Sequence, residues 1–137
     1  QLTNILRDVK TDAKLGRIYI PLEDLRKFNY AEKELLNFNY NEEFRKLMKF
    51  ECERAHSYYR KANDSLDKND KGLMIAARIM QHIYFRILRK IEKKNYNVFD
   101  NEVKVSKLKK LLITAGVYLK YKTLYSVNED ELAVNGK

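Results

Sequence analysis

From Leu2 to Ala13 the apolar residues fall at Leu2, Ile5, Leu6, Val9 and Ala13, the three- and four-residue intervals of an amphipathic helix. Gly16 is a natural stop, and Arg17 to Pro21 reads as a short extended link. Pro21 followed by Glu23 and Asp24 suits the first turn of a brief helix over Leu22 to Phe28. After a break at Asn29-Tyr30, a second short helix is expected over Ala31 to Phe38. A long helix then runs from about Asn41 to Asp67, its apolar face formed by Phe44, Leu47, Met48, Cys52, Ala55, Tyr59 and Ala62. The polar stretch Asn63 to Lys71 should hold a loop. Leu73 to Lys94 predicts another long helix, packed with Leu73, Ala76, Ala77, Met80, Ile83, Tyr84, Ile87, Leu88 and Ile91 facing inward. Asn95 to Asn101 breaks it, Lys104 to Leu124 forms the last helix, and Ser126 to Lys137 reads as a frayed polar tail. The expected class is all-α.

Composition narrows this. The 137 residues fit one domain, and four Gly and one Pro against ten Tyr and six Phe supply too little turn chemistry for a sandwich or barrel. A single Cys excludes a disulfide framework and a Cys-based zinc module, and points to a reducing, cytoplasmic setting. The longest apolar run, Leu111 to Leu119, is about half of what a bilayer span needs. No signal peptide is visible, and the chain starts without Met inside a helical pattern, so a longer parent polypeptide is expected.

The pointed chemistry lies in the first helix. Four-residue steps advance about 400°, so Asn4, Asp8 and Asp12 stack on one face with Gln1 close by. Oxygen-bearing side chains about 6 Å apart along a stripe can cradle a hard cation such as Mg²⁺, which takes one or two carboxylates and leaves other positions to water and phosphate oxygens. A solvated helix face with an acidic bias has the same spacing, and because D-x-x-x-D is a short pattern, spacing alone favours that face over a metal site.

The wider context does more. Gln1-Leu-Thr-Asn-Ile-Leu-Arg-Asp-Val-Lys-Thr-Asp12, followed by Gly16-Arg-Ile-Tyr-Ile-Pro21, resembles the second aspartate-rich segment of the squalene/phytoene synthase family, Q-x-x-N-I-x-R-D-x-x-x-D then G-R-x-Y-x-P. The resemblance continues through Ala76-Ala77-Arg78, Ile83-Tyr84, Ile87-Leu88, Asn95-Tyr96 and Val103 to Lys110, up to about Leu124. It implies that residues 1–125 are the C-terminal portion of one helical isoprenoid-synthase domain, with 126–137 a polar tail. It further implies head-to-head, Mg²⁺-dependent condensation of two prenyl diphosphates in a water-excluding apolar cavity, with metal and basic groups stabilising the departing diphosphate. By resemblance, Asn4, Asp8 and Asp12 face the metal, Gln1 lines the same cavity, and Arg7 and Arg17 fall on motif positions where a structural ion pair is the competing role. Tyr84 matches a tyrosine that approaches the diphosphate, and Lys110 a basic contact to it. At Glu102 the family commonly has Arg, which puts a second diphosphate contact in question. The first aspartate-rich motif belongs to the family's N-terminal half and is absent, so that half is an expected partner and these residues alone should be inactive.

Within the family, the reading places farnesyl diphosphate conversion to presqualene diphosphate or squalene first, with NADPH needed if squalene is the final product. Phytoene synthesis from geranylgeranyl diphosphate is the alternative. The formal charge of +9, with Lys104, Lys107, Lys109, Lys110, Lys120 and Lys122 in an acid-free stretch, suits a nucleic acid or an anionic membrane surface. No helix-turn-helix or aromatic-basic RNA-binding pattern appears, so peripheral membrane contact is the expected partner and nucleic acid is not. A non-catalytic basic helical module is the remaining alternative. His56, His82 and Cys52 show no catalytic or metal spacing, and Cys52 is expected in the core.

Overall fold

The computed structural model describes the backbone of residues 1–65, 75–100 and 102–134, and side chains as far as Lys120. Six helices follow one another: α1 (Leu2–Lys14), α2 (Leu22–Lys27), α3 (Glu32–Leu36), α4 (Glu42–Asp64), α5 (Ile75–Lys93) and α6 (Lys107–Val134). No strand occurs among the described residues. Helix α1 is central, packed on α3, α4 and α5, and α5 in turn carries α6.

Local chemistry sets most helix ends. Asn41 caps α4, its Oδ1 accepting the Phe44 N–H at 2.9 Å. Helix α1 ends in a Schellman motif: Gly16 takes φ +68°, its N–H reaches the Ala13 carbonyl at 3.0 Å, and the Arg17 N–H reaches the Asp12 carbonyl at 2.9 Å. The same paired bonds close α2 at Asn29, α3 at Phe38 and α5 at Asn95, all with positive φ. Phe38 is a bulky residue in that region, and its ring lies 5.7 Å from Phe99.

The core gathers around α4. Phe44, fully buried, has ring contacts to Tyr30 (5.2 Å), Tyr40 (6.3 Å) and Phe99 (4.5 Å). Leu6, Val9 and Ala13 of α1 and Ile87, Leu88 and Ile91 of α5 complete it, and Cys52 is buried as expected. The connector from α5 to α6 is held by two lysines: Lys10 donates to the Phe99 and Asp100 carbonyls, and Lys90 to the Lys104 carbonyl.

Three expectations are corrected. The last helix begins at Lys107, because Val103 and Val105 are buried while Glu102, Lys104 and Ser106 are exposed, the alternation of an extended segment. It continues to Val134 through residues read as a frayed tail, since no Gly or Pro interrupts the sequence between Gly116 and Gly136. In α5, Ala76, Ala77 and Met80 are exposed rather than inward, while Arg78 is buried. This half of α5 borders open cavities, and Arg78 turns inward to donate to Asn63 at 2.7 Å. Of the stretch Asn63 to Lys71 expected as a loop, Asn63 and Asp64 instead form the end of α4, whose last turn is capped at Ser65; residues 66–71, the expected helix end at Asp67 and the expected start of α5 at Leu73 lie outside the described residues. Helix α6 has two apolar faces: Ile113 and Val117 are buried, whereas Leu108, Leu111, Leu112 and Leu119 are more than half exposed. No helix is long and apolar enough to cross a membrane among the described residues.

Candidate functional site

Helix α1 places its inner stripe, Thr3, Leu6, Val9 and Ala13, in the core. The adjacent stripe therefore emerges at the edge of the packed surface. Gln1, Asn4, Asp8 and Asp12 line one open cavity of about 290 Å³, together with Ile5 and Tyr19. The structure thus brings four of the expected site residues together. Tyr19 joins them because the Schellman turn folds Arg17 to Tyr19 back beside Asp12. Sequence reasoning quoted Tyr19 inside the G-R-x-Y-x-P motif but gave it no role.

The stripe is electrostatically uneven. Arg7 grips Asp8 through a fork, Nε to Oδ1 at 2.8 Å and Nη2 to Oδ2 at 2.6 Å. This bond holds the Arg7 guanidinium above its usual pKa despite partial burial. Tyr84 and Glu102 add smaller upward pulls on the same guanidinium. Glu102 pairs with Lys104 at 2.5 Å. The Asn4 Oδ1, by contrast, is buried and has no hydrogen-bond partner among the described residues.

An orphaned amide oxygen beside two carboxylates is a hard donor set, and it suits Mg²⁺, which needs only one or two carboxylates and keeps water or phosphate oxygens. Among the described residues no group of three or more His, Cys, Asp or Glu side chains gathers as a metal site. The oxygen donors of the stripe are two carboxylates and two amides.

Other expected residues are less tightly joined. Arg17 is exposed but lines a small cleft with Asp12. Tyr84 is half-buried against the core. Lys110 is exposed on the first turn of α6 and has no hydrogen bond or ion pair to the stripe among the described residues.

At its N-terminal end the stripe meets a second, larger cavity of about 590 Å³. Gln1 lines both, and the larger one is walled mainly by Leu2, Ala55, Tyr58, Tyr59, Ala62 and Ala77. Tyr59 is fixed there by a 2.9 Å hydrogen bond with Thr3, and burial raises its phenol pKa. Tyr59 was read from the sequence as core only. Its position at helical spacing from Ala55 and Ala62 was the one available signal.

The squalene/phytoene synthase family profile matches residues 1–109. The chain is 43% identical over 124 residues to a 15-cis-phytoene synthase of Synechocystis sp., covering 90% of this chain and 37% of that protein. It is 41% identical over 112 residues to a phytoene synthase of Arthrospira platensis, covering 82% of this chain and 36% of that one. A crystal structure of a dehydrosqualene synthase in complex with ligand superposes with a TM-score of 0.68 at 29% identity, over 90% of this chain and 44% of that chain. The chain therefore spans little more than a third of the length of the curated relatives it matches. With the stripe, the helical fold and the matched span in agreement, the chain belongs to the squalene/phytoene synthase family.

Proposed function

We propose that this chain contributes one wall of a prenyltransferase site that condenses two prenyl diphosphates head to head. The observation that carries the reading is the stripe itself: Asn4 with an unpartnered buried oxygen, Asp8 and Asp12 share a cavity that meets a larger apolar one at Gln1. Asn4, Asp8 and Asp12 would hold Mg²⁺, which when bound supplies positive charge to the departing diphosphate. Arg7 orients Asp8 through its two-bond fork. Gln1 stands where the polar and apolar cavities meet, so a molecule with a diphosphate head and a hydrocarbon tail can lie across both. Tyr58, Tyr59 and the alanines exclude water from the tail.

Residues 1–125 are the C-terminal portion of the domain in this reading, and activity requires a chain that also carries the first aspartate-rich segment. The sequence alone placed squalene-type synthesis first. The relatives named above favour the alternative, phytoene-type synthesis from geranylgeranyl diphosphate, and we adopt it. The apolar face of α6 and its lysines support peripheral contact with an anionic membrane in a cytoplasmic setting.

The test uses a chain carrying both aspartate-rich segments, with Mg²⁺, with and without NADPH, and product analysis by mass spectrometry. A C40 product from geranylgeranyl diphosphate supports the reading. A C30 product from farnesyl diphosphate alone returns the squalene-type alternative, and turnover of neither substrate refutes both. Asp8→Asn and Asp12→Asn, nearly isosteric, should each lower turnover by about 10²–10³ and raise the Mg²⁺ requirement. Full turnover at normal Mg²⁺ in both variants would leave the stripe a solvated helix face.

A further inference from the structure

Helix α2 is short, and a compact set of side chains holds it to α4. Asp24 of α2 and Glu51 of α4 share one nitrogen of Arg54, Nη1, at 2.7 Å and 2.9 Å, and Nη2 adds a second bond to Asp24 at 3.0 Å. Beside them the Phe28 ring meets Phe50 at 5.2 Å, and Lys27 Nζ stands 4.0 Å from the Phe50 centroid. Two buried acids thus divide one guanidinium.

That geometry has a place for one proton. Glu51 Oε2 is buried and meets no donor among the described residues, and Asp24 lies within hydrogen-bonding reach of the same carboxyl. Ser65, where the described part of α4 ends, is about 20 Å farther along the helix. Two ionised carboxylates cannot bond each other. A proton on Oε2 turns that oxygen into a donor to Asp24 and removes the like-charge repulsion. Burial pushes the Glu51 carboxyl up to about 7, with Arg54 opposing the shift and Asp24 reinforcing it. Of the elements packed here, α2 also brings Lys27, which acts on Asp24, and α5 brings Glu92, which acts on the neighbouring Cys52. Helix α1 turns Thr3, Leu6, Val9 and Ala13 into the core, none of them titratable.

The link between α1 and α2 gives the pair its reach. Pro21 joins the helix of Asp24 directly to Arg17, Ile18, Tyr19 and Ile20, the segment that returns beside Asp12 and carries Tyr19 into the stripe cavity. We propose that Glu51 and Asp24 form a one-proton latch: with the proton bound α2 is closed on α4, and its release to water sets the carboxylates against each other and opens residues 17–28. The consequence for the stripe at Tyr19 rests on the function proposed above; the latch itself does not.

The experiment follows amide hydrogen exchange by mass spectrometry on the full-length protein from about pH 6 to pH 8.5, in wild type, Glu51→Gln and Asp24→Asn. Comparing proteins at each pH cancels the chemical pH dependence of exchange. The glutamine amide donates to Asp24 at every pH, so Glu51→Gln is latched throughout. Above neutrality the protection of residues 17–28 in wild type should fall, relative to Glu51→Gln, by about tenfold per pH unit, the linkage of one proton. It should stay below the protection of Ile87 to Ile91 in α5. Asp24→Asn leaves Glu51 to ionise against Arg54 alone and should abolish the slope as well; it carries the comparison if Glu51→Gln does not fold. Difference infrared spectroscopy should show a carboxylic C=O band lost over the same range and absent from Glu51→Gln. The latch is overturned if the wild-type to variant ratio stays constant with pH, if Asp24→Asn keeps the slope, or if no such band appears. It is equally overturned if residues 17–28 exchange in step with α5 at equal protection, an effect on the whole fold alone. No readout needs turnover, so its failure leaves the prenyltransferase reading standing.

Discussion

Arg54→Met isolates a buried charge cluster in the core. Arg54 forks onto Asp24, Nη1 to Oδ2 at 2.7 Å and Nη2 to Oδ1 at 3.0 Å, and Nη1 also reaches Glu51 Oε1 at 2.9 Å. Asp24 is 4% exposed and Glu51 fully buried. Methionine keeps an unbranched apolar side chain but removes the guanidinium, which lies 4.7 Å over the Phe50 ring and is, among the described residues, the only cation hydrogen-bonded to the two carboxylates. Breaking a buried pair costs about 3–5 kcal/mol. The Arg54 side chain is itself 31% exposed, so we expect about 3 kcal/mol, read from the urea midpoint at constant m-value. The pH dependence carries the sharper signature. Burial raises the Glu51 carboxyl to about 7, so the folded state keeps a proton that an unfolded chain releases near the ordinary glutamate value. The folded chain then binds more protons between those two values, and stability falls as pH rises through that window. Asp24 behaves oppositely: Arg54 lowers its pKa, and the stability it adds is lost only as pH falls below the ordinary aspartate range. Glu51→Gln has no proton to lose, so it should flatten the profile between pH 5 and 8 and gain up to about 3 kcal/mol on wild type at pH 8. A loss of under 1 kcal/mol in Arg54→Met, or a Glu51→Gln variant with the wild-type pH slope, would refute the reasoning.

Phe44→Ala should cost about 3–5 kcal/mol by chemical denaturation, because it opens a cavity among Tyr30, Tyr40 and Phe99. The Cys52 thiol, pushed up to about 12 chiefly by burial, should resist alkylation at pH 8 in the native protein and react at once in denaturant. Glu102→Arg puts a positive charge where a negative one now faces Arg7, and should tighten diphosphate binding in isothermal titration; unchanged affinity would remove this position from the site.

Much of the helical order is legible in the sequence because the apolar spacing, Asn41, Gly16 and the Asn breaks are local signals, and each has a local physical cause. The Asn4, Asp8 and Asp12 stripe is legible for the same reason, since helix geometry alone places those residues on one face. What escaped depends on contacts far apart in the chain. Nothing near Arg78 announces that Asn63 will draw it inward, and nothing near Tyr19 reveals that it reaches the stripe. The pairing of Arg54 with Asp24 joins α4 to α2, and sequence patterns carry no term for that distance. Helix α6 misled in another way: its two opposed apolar faces cancel the amphipathic signature, so only the missing stop residues could have marked its length.

The two lysines that hold the connector between α5 and α6 bear on how the net charge of +9 should be understood. Lys10 and Lys90 use their ammonium groups on main-chain carbonyls, so part of their positive charge faces peptide dipoles rather than a passing anion. Acetylating Lys10 would change the total by a single charge, which a surface lysine could also supply. At Lys10 it would also leave one amide N–H in place of three ammonium donors, too few to hold both the Phe99 and Asp100 carbonyls to α1, two residues from Asp8. The backbone leading to Glu102 would then move independently of the helix that carries the aspartates. An acylating reagent should therefore affect this protein according to which lysine it reaches, far more than how many.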